Sequence, residues 1–178
     1  MRRIFFLISF FGLICCTSKQ ESQSSPVAVV DSIRMESPGN FIEVGDSLQV
    51  PTFEITIELD EKAEKKITDQ HETIIVQANL FGTPKDSVDP KLVTEMGELF
   101  LALPRVEISK PGIAKFENVK ISKKGYEALA DKDFIILINV FSGRKSSSDN
   151  LLTCDILQEP MSNVIGKPHV LKGKLIYE

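Results

Sequence analysis

Apolar side chains recur at every second position through much of this chain. In residues 51–60, Phe53, Ile55, Ile57 and Leu59 alternate with Thr52, Glu54, Thr56 and Glu58. A strand sends successive side chains to opposite faces, so this spacing predicts one buried face and one wet face. Residues 73–81 read as another strand, with Gln77 and Asn79 turned outward. Shorter strands are expected at 98–103, 106–109 and 115–121, punctuated by Pro104 and by Pro111-Gly112. Residues 134–141 are nearly all apolar, which predicts a central strand covered on both sides. Asn139 interrupts that run, and a buried amide there needs hydrogen bonds to neighbouring backbone. Residues 151–157 and 170–177 complete the set, with Lys172 and Lys174 blunting an open sheet edge.

Two stretches carry a helical pattern instead. Residues 61–70 are charged, with Ala63 and Ile67 one turn apart. Residues 123–131 follow Ser122, a natural N-cap, and Ile121 and Tyr126 are spaced for a hydrophobic staple. Gly125 weakens this second helix by about 1 kcal/mol relative to Ala. A series of short strands separated by turn signals predicts an all-β fold. The expected form is an antiparallel Greek-key β-sandwich, immunoglobulin-like or transthyretin-like in architecture, with one or two short crossover helices.

The N-terminus follows a different logic. Met1-Arg2-Arg3 precedes an apolar run from residue 4 to 16, interrupted only by Ser9 and Gly12. A basic start and a short apolar core form the layout of a secretory signal, and the run falls short of the roughly 20 residues a bilayer span needs. It closes on Leu13-Ile14-Cys15-Cys16, and the chain then turns abruptly polar. This ending resembles the lipobox of bacterial lipoproteins. The resemblance implies that residues 1–15 are a signal peptide and that Cys16 receives the lipid and becomes the new N-terminus. Leu13 then sits three positions before it, and Cys15 occupies the usual small-residue position. Acylation at Cys15 would put Gly12 and Ile14 in those places, a poorer fit. Thr17 stands where an Asp would retain such a protein at the inner membrane, which points to the outer membrane of a bacterial cell envelope. Each buried acyl methylene adds about 0.8 kcal/mol of membrane affinity. Residues 16–40 make the lipidated Cys and a polar tether, with room for a first short strand at 27–34. Residues 41–178 make a single β-sandwich domain.

Composition narrows the function classes. The net charge is −4, and removing the leader takes away Arg2 and Arg3 and leaves −6, which gives no broad attraction for nucleic acid. The chain has three Cys. One leaves with the leader, one carries lipid, and Cys154 is left without a partner for an internal disulfide. Cys154 shares a strand face with Leu152 and Ile156, which predicts a buried, inert thiol. His71 and His169 have no second His or Cys at metal-ligand spacing and read as surface residues. No metal or cofactor is implied.

The most unusual segment is residues 142–150, Ser-Gly-Arg-Lys-Ser-Ser-Ser-Asp-Asn. It joins two predicted strands, and loops held by a rigid sheet are where binding residues concentrate. Arg144 offers a planar fork for carboxylate or phosphate and Lys145 a second positive charge. Ser147, Asp149 and Asn150 can hydrogen-bond a sugar or a peptide backbone. A plain solvated connection would use similar residues. The leading expectation is a lipid-anchored binding or assembly module for a protein or glycan partner, with no catalysis inferred. Two other classes stay open. One is an enzyme built from scattered acidic residues and Arg144. The other is a calcium-dependent module using Asp131, Asp133, Asp149 and Asp155.

Overall fold

The computed structural model describes residues 40–177. The leader, Cys16, most of the tether and the possible strand at 27–34 lie outside the described residues. In chain order the elements are β1 (Ile42–Val44), β2 (Ser47–Gln49), β3 (Phe53–Leu59), α1 (Glu61–Asp69), β4 (Ile74–Gly82), β5 (Leu99–Ala102), β6 (Arg105–Ile108), β7 (Gly112–Phe116) and β8 (Lys120–Ser122). There follow α2 (Lys123–Glu127), β9 (Ile135–Ser142), β10 (Leu152–Cys154), β11 (Leu157–Pro160), α3 (Met161–Val164) and β12 (Val170–Leu175). The body is all-β and sandwich-like.

One sheet has the order β10-β12-β3-β7. The other runs β11-β9-β4, with β5 and β6 pairing successive halves of the far side of β4. The longest contact is β4 on β9, antiparallel from Ile74↔Ser142 to Phe81↔Ile135. A small third sheet, β1-β2-β8, starts with a hairpin that turns at Gly45, whose φ of +60° suits glycine. The predicted alternation of β3 is realised: Phe53, Ile55 and Ile57 are buried while Glu54 and Glu58 are exposed. They meet Ile74, Val76 and Leu80 of β4, Ile136 and Ile138 of β9, and Phe116, Phe134 and Leu152 in one apolar core. Phe53 and Phe116 stack there with ring centroids 4.6 Å apart.

Both predicted helices exist. Asp60 caps α1, accepting from Ala63 N at 2.7 Å, and Ala63 and Ile67 are buried as the spacing requires. Ser122 caps α2, accepting from Gly125 N at 3.3 Å, but α2 stops at Glu127 rather than 131. The Lys132 ammonium explains the stop. It donates to the carbonyls of Tyr126, Glu127 and Leu129 at 2.6, 3.1 and 3.2 Å, and Lys85 Nζ adds a bond to Glu127 O at 2.8 Å. Cations at a helix C-terminus satisfy its orphan carbonyls and suit its dipole.

Five expectations are corrected. The residues of β9 facing away from the core, Ile135, Leu137, Asn139 and Phe141, are half-exposed rather than covered. Asn139 points to that outer side, so it is not a buried amide held by backbone. The strand expected at 115–121 divides into β7 and β8 at Asn118, which takes a φ of +55°. The strand expected at 151–157 divides into β10 and β11, leaving Ile156 exposed and Cys154 only partly buried rather than side by side on a buried face. Finally, β12 is no edge. It lies between β10 and β3, antiparallel to the first and parallel to the second, so Lys172 and Lys174 line a sheet face instead of guarding a margin.

The interior position of β12 depends on Gly173, opposite both Cys154 and Leu59. A Cβ built there would lie 2.3 Å from Cys154 Sγ and 2.7 Å from Leu59 Cδ2. Gly173→Ala should therefore lower unfolding free energy by about 1–3 kcal/mol in urea melts. Adding Cys154→Ala should recover part of the loss; strict additivity of the two changes would show that the thiol is not the obstruction.

Candidate functional site

The loop singled out by composition begins where β4 and β9 part company. Ile74↔Ser142 is the last rung of their ladder, and one more bond, Gly143 N to Thr73 O at 2.7 Å, extends the contact. Gly143 is required by proximity: a Cβ there would fall 1.9 Å from Thr73 Oγ1 and 3.2 Å from Glu72 Oε1. Beyond it the chain turns through Arg144, which holds a left-handed φ of +59°. Across from it His71 holds a φ of +52°. A side chain carrying a Cβ adopts that region at a cost of about 1–3 kcal/mol, and it persists only where the surroundings impose it.

His71 takes it as the residue that closes α1, its N–H bonding Thr68 O at 3.1 Å; at Arg144 it is imposed by Glu72. Its side chain is almost wholly buried, and its own N–H bonds Ile67 O at 2.9 Å, which fixes the residue to the end of α1. One carboxylate oxygen accepts from Thr73 N at 2.9 Å and Lys145 N at 3.1 Å. The other accepts from Lys145 N at 3.0 Å, Ser146 N at 2.8 Å and Ser146 Oγ at 2.7 Å. Burial alone pushes this carboxyl up. The hydrogen bonds from Ser146 N–H, Lys145 N–H, Thr73 N–H and the Ser146 hydroxyl together outweigh burial and hold it at about 2. The turn is a concave set of backbone N–H groups filled by the protein's own anion.

The other end of the loop is closed by Asn150. Its Oδ1 accepts from Ser142 N at 2.9 Å, Ser142 Oγ at 3.2 Å and Leu152 N at 3.1 Å, while its Nδ2 donates to Leu152 O at 2.7 Å. Ser142, fully buried, returns a bond by accepting from Leu151 N at 2.9 Å. Between the two clamps Ser147 Oγ accepts from Asp149 N at 3.1 Å.

All five residues expected at this site thus share one loop, in different roles. Asn150 and Ser147 shape the loop. The Lys145 ammonium is engaged by Glu107 of β6, and this bond is the main cause of the lowered Glu107 pKa. The exposed Arg144 guanidinium and Asp149 carboxylate have no partner among the described residues. Composition alone missed Glu72. The signal that could have found it is a count of unmet donors, since a turn with several successive N–H groups off any ladder needs an acceptor.

The remaining candidates disperse. Asp133 accepts from Ser162 N at 2.8 Å and Ser162 Oγ at 2.6 Å, and Asp155 accepts from Lys172 N at 3.0 Å. Among the described residues no three His, Cys, Asp or Glu side chains gather to hold a metal ion. Two open grooves indent the surface. One of about 330 Å³ is lined by Glu54, Thr56, Lys167 and His169, and one of about 360 Å³ by Asp60, Cys154, Asp155, Lys172 and Lys174. In the second, burial and then the charge of Asp155 push the Cys154 thiol up to about 11, so it is protonated and unreactive at neutral pH. Neither a protein family, nor a curated protein, nor a solved structure matches this chain.

The carboxyl of Glu72 sets an acid limit. A folded value of about 2, below the ordinary 4.5, means the stabilisation is complete above about 4.5 and drains away as pH falls towards 2. Its size is about 3 kcal/mol. Glu72→Gln should cost about 2–4 kcal/mol of unfolding free energy at neutral pH. The wild-type and variant curves should converge as the pH of urea melts approaches 2; parallel curves would mean that this carboxylate is not the acid-sensitive group.

Proposed function

We propose that the chain is a lipid-anchored protein of a bacterial cell envelope, held at the outer membrane through Cys16, whose β-sandwich is a binding or assembly module for a protein or glycan partner. The anchor reading is supported by the basic start, the short apolar run and the terminal Cys16 followed by a polar tether.

The recognition reading is carried by one observation. The backbone of loop 143–150 is clamped from beneath by Glu72 and closed by Asn150, and the side chains of Arg144 and Asp149 extend from it into solvent. A solvated connection needs no buried carboxylate and no left-handed arginine. Ordering the loop before a partner arrives removes that entropic cost from binding. Arg144 suits a carboxylate or phosphate on the partner, and Asp149 suits an N–H or hydroxyl donor.

Two tests follow. Arg144→Gly removes the guanidinium and relieves the left-handed strain. It should leave the melting temperature equal or slightly higher, by up to about 1 kcal/mol in stability, while cutting recovery of the cross-linked envelope partner several-fold. Unchanged recovery would remove Arg144 from the contact. Cys16→Ser should abolish acyl labelling and leave the precursor uncleaved. A mature protein that carries no lipid would end the anchor reading.

A further inference from the structure

The two sheets carry different chemistry on their outer faces. That of the four-stranded sheet is charged, with Glu54 and Glu58 on β3, Lys115 on β7 and Lys172 and Lys174 on β12, all exposed. The central strands of the other sheet carry no charge on theirs. β4 presents Ile75, Gln77 and Asn79, β9 presents Leu137, Asn139 and Phe141, and all six are half-exposed. Register arranges them in rows. Ile75 lies opposite Phe141, Gln77 opposite Asn139, and Asn79 opposite Leu137, which is itself opposite Gln158 of β11. Side chains in such a row stand about 5 Å apart and successive rows about 7 Å apart. The face is a grid of amides set among apolar side chains.

Its amides are largely unused. Gln77 Oε1 accepts from Arg105 Nε at 2.6 Å, which leaves Nε2 to donate. The side-chain amides of Asn139 and Gln158 bond no other described residue. Asn79 Oδ1 is buried and has no donor. A polar atom left in that condition costs about 1–3 kcal/mol. Charge stands only along one margin, where Arg105 serves Gln77 and Glu107 holds Lys145 of the loop.

We propose that this face binds a neutral glycan strand. Sugar hydroxyls occur as adjacent donors and acceptors, which amides match in pairs, and the C–H faces of the rings fit Ile75, Leu137 and Phe141. An uncharged centre suits an uncharged ligand, because no ion must be stripped of water to form the contact. An anionic strand would find cations only beside the grid, at Arg105 and Arg144, and none along the β4–β9 rows. An extended peptide would pair its backbone at a sheet edge rather than on the face of central strands. The Lys145–Glu107 pair places the loop at the Phe141 end of the grid, where Arg144 can meet what the strand carries next. The inference rests on the recognition reading for the existence of a partner and moves the main contact from loop to sheet.

The test titrates the purified full-length protein with chitohexaose, cellohexaose, maltohexaose and mannohexaose, with hexagalacturonate as the anionic control, by calorimetry and thermal shift. At least one neutral hexamer should bind with a Kd of about 0.1–1 mM and raise the melting temperature. Asn139→Ala, and separately Leu137→Lys, should weaken it tenfold or more while leaving the unliganded melting temperature unchanged. Arg144→Gly should change it less than about threefold, under 1 kcal/mol. Absence of neutral binding at about 10 mM, binding that survives both face variants, or tighter binding of hexagalacturonate overturns the proposal. If no glycan binds while recovery of the cross-linked partner still depends on Arg144, the face proposal falls and the recognition reading stands.

Discussion

A single carboxylate, that of Glu72, holds the loop after β9 against the junction of α1 and β4. It follows α1, precedes β4, and reaches the backbone of the loop after β9. Taking a charge out of water is costly, and the return comes only if its oxygens are well supplied with donors. Here three backbone N–H groups and a hydroxyl converge on them. The arrangement therefore acts as a unit. The loop is ordered because the acid is there, and the acid tolerates burial because the loop is ordered. Gly143 and the left-handed Arg144 are geometric conditions of that exchange.

Placement of the exposed groups follows. Because the ends of the loop are fixed on β4, β9 and β10, the sheet sets where the Arg144 and Asp149 side chains leave the backbone. Lys145 is drawn across to Glu107, which ties the loop to β6 and makes it continuous with the uncharged outer face. The chain thus separates a charged side, facing outward from β3, β7 and β12, from a side rich in amides and apolar groups.

Much of this body was legible in the chain, and the misses have physical causes. The alternation in β3 named its buried face, and Asp60 and Ser122 marked where helices begin, because both signals are local. The nine-residue polar segment stood out because strands rarely connect through such a stretch. What local pattern cannot carry is partnership. An apolar run such as residues 135–141 says that both faces avoid water, but not whether an element covers each; here one face was left half-open. Lysines on the last strand suit an edge equally well as a solvated face, and only the pairing with β3 decides. Glu72 was invisible because a buried acid and an exposed one look alike in sequence, and its donors on Lys145 and Ser146 lie more than seventy residues away.

The parallel contact between β3 and β12 bears on how the fold is completed. These strands come from opposite ends of the described body, and β12 fills the space between β3 and β10. A chain released from a ribosome or a translocation channel N-terminus first has β3 waiting with one side unpaired until the last strand emerges. The entropy of closing so long a loop must be met before that contact rewards it. A chain without β12 leaves that flank of β3 bare, a row of unpaired N–H and C=O groups open to another strand.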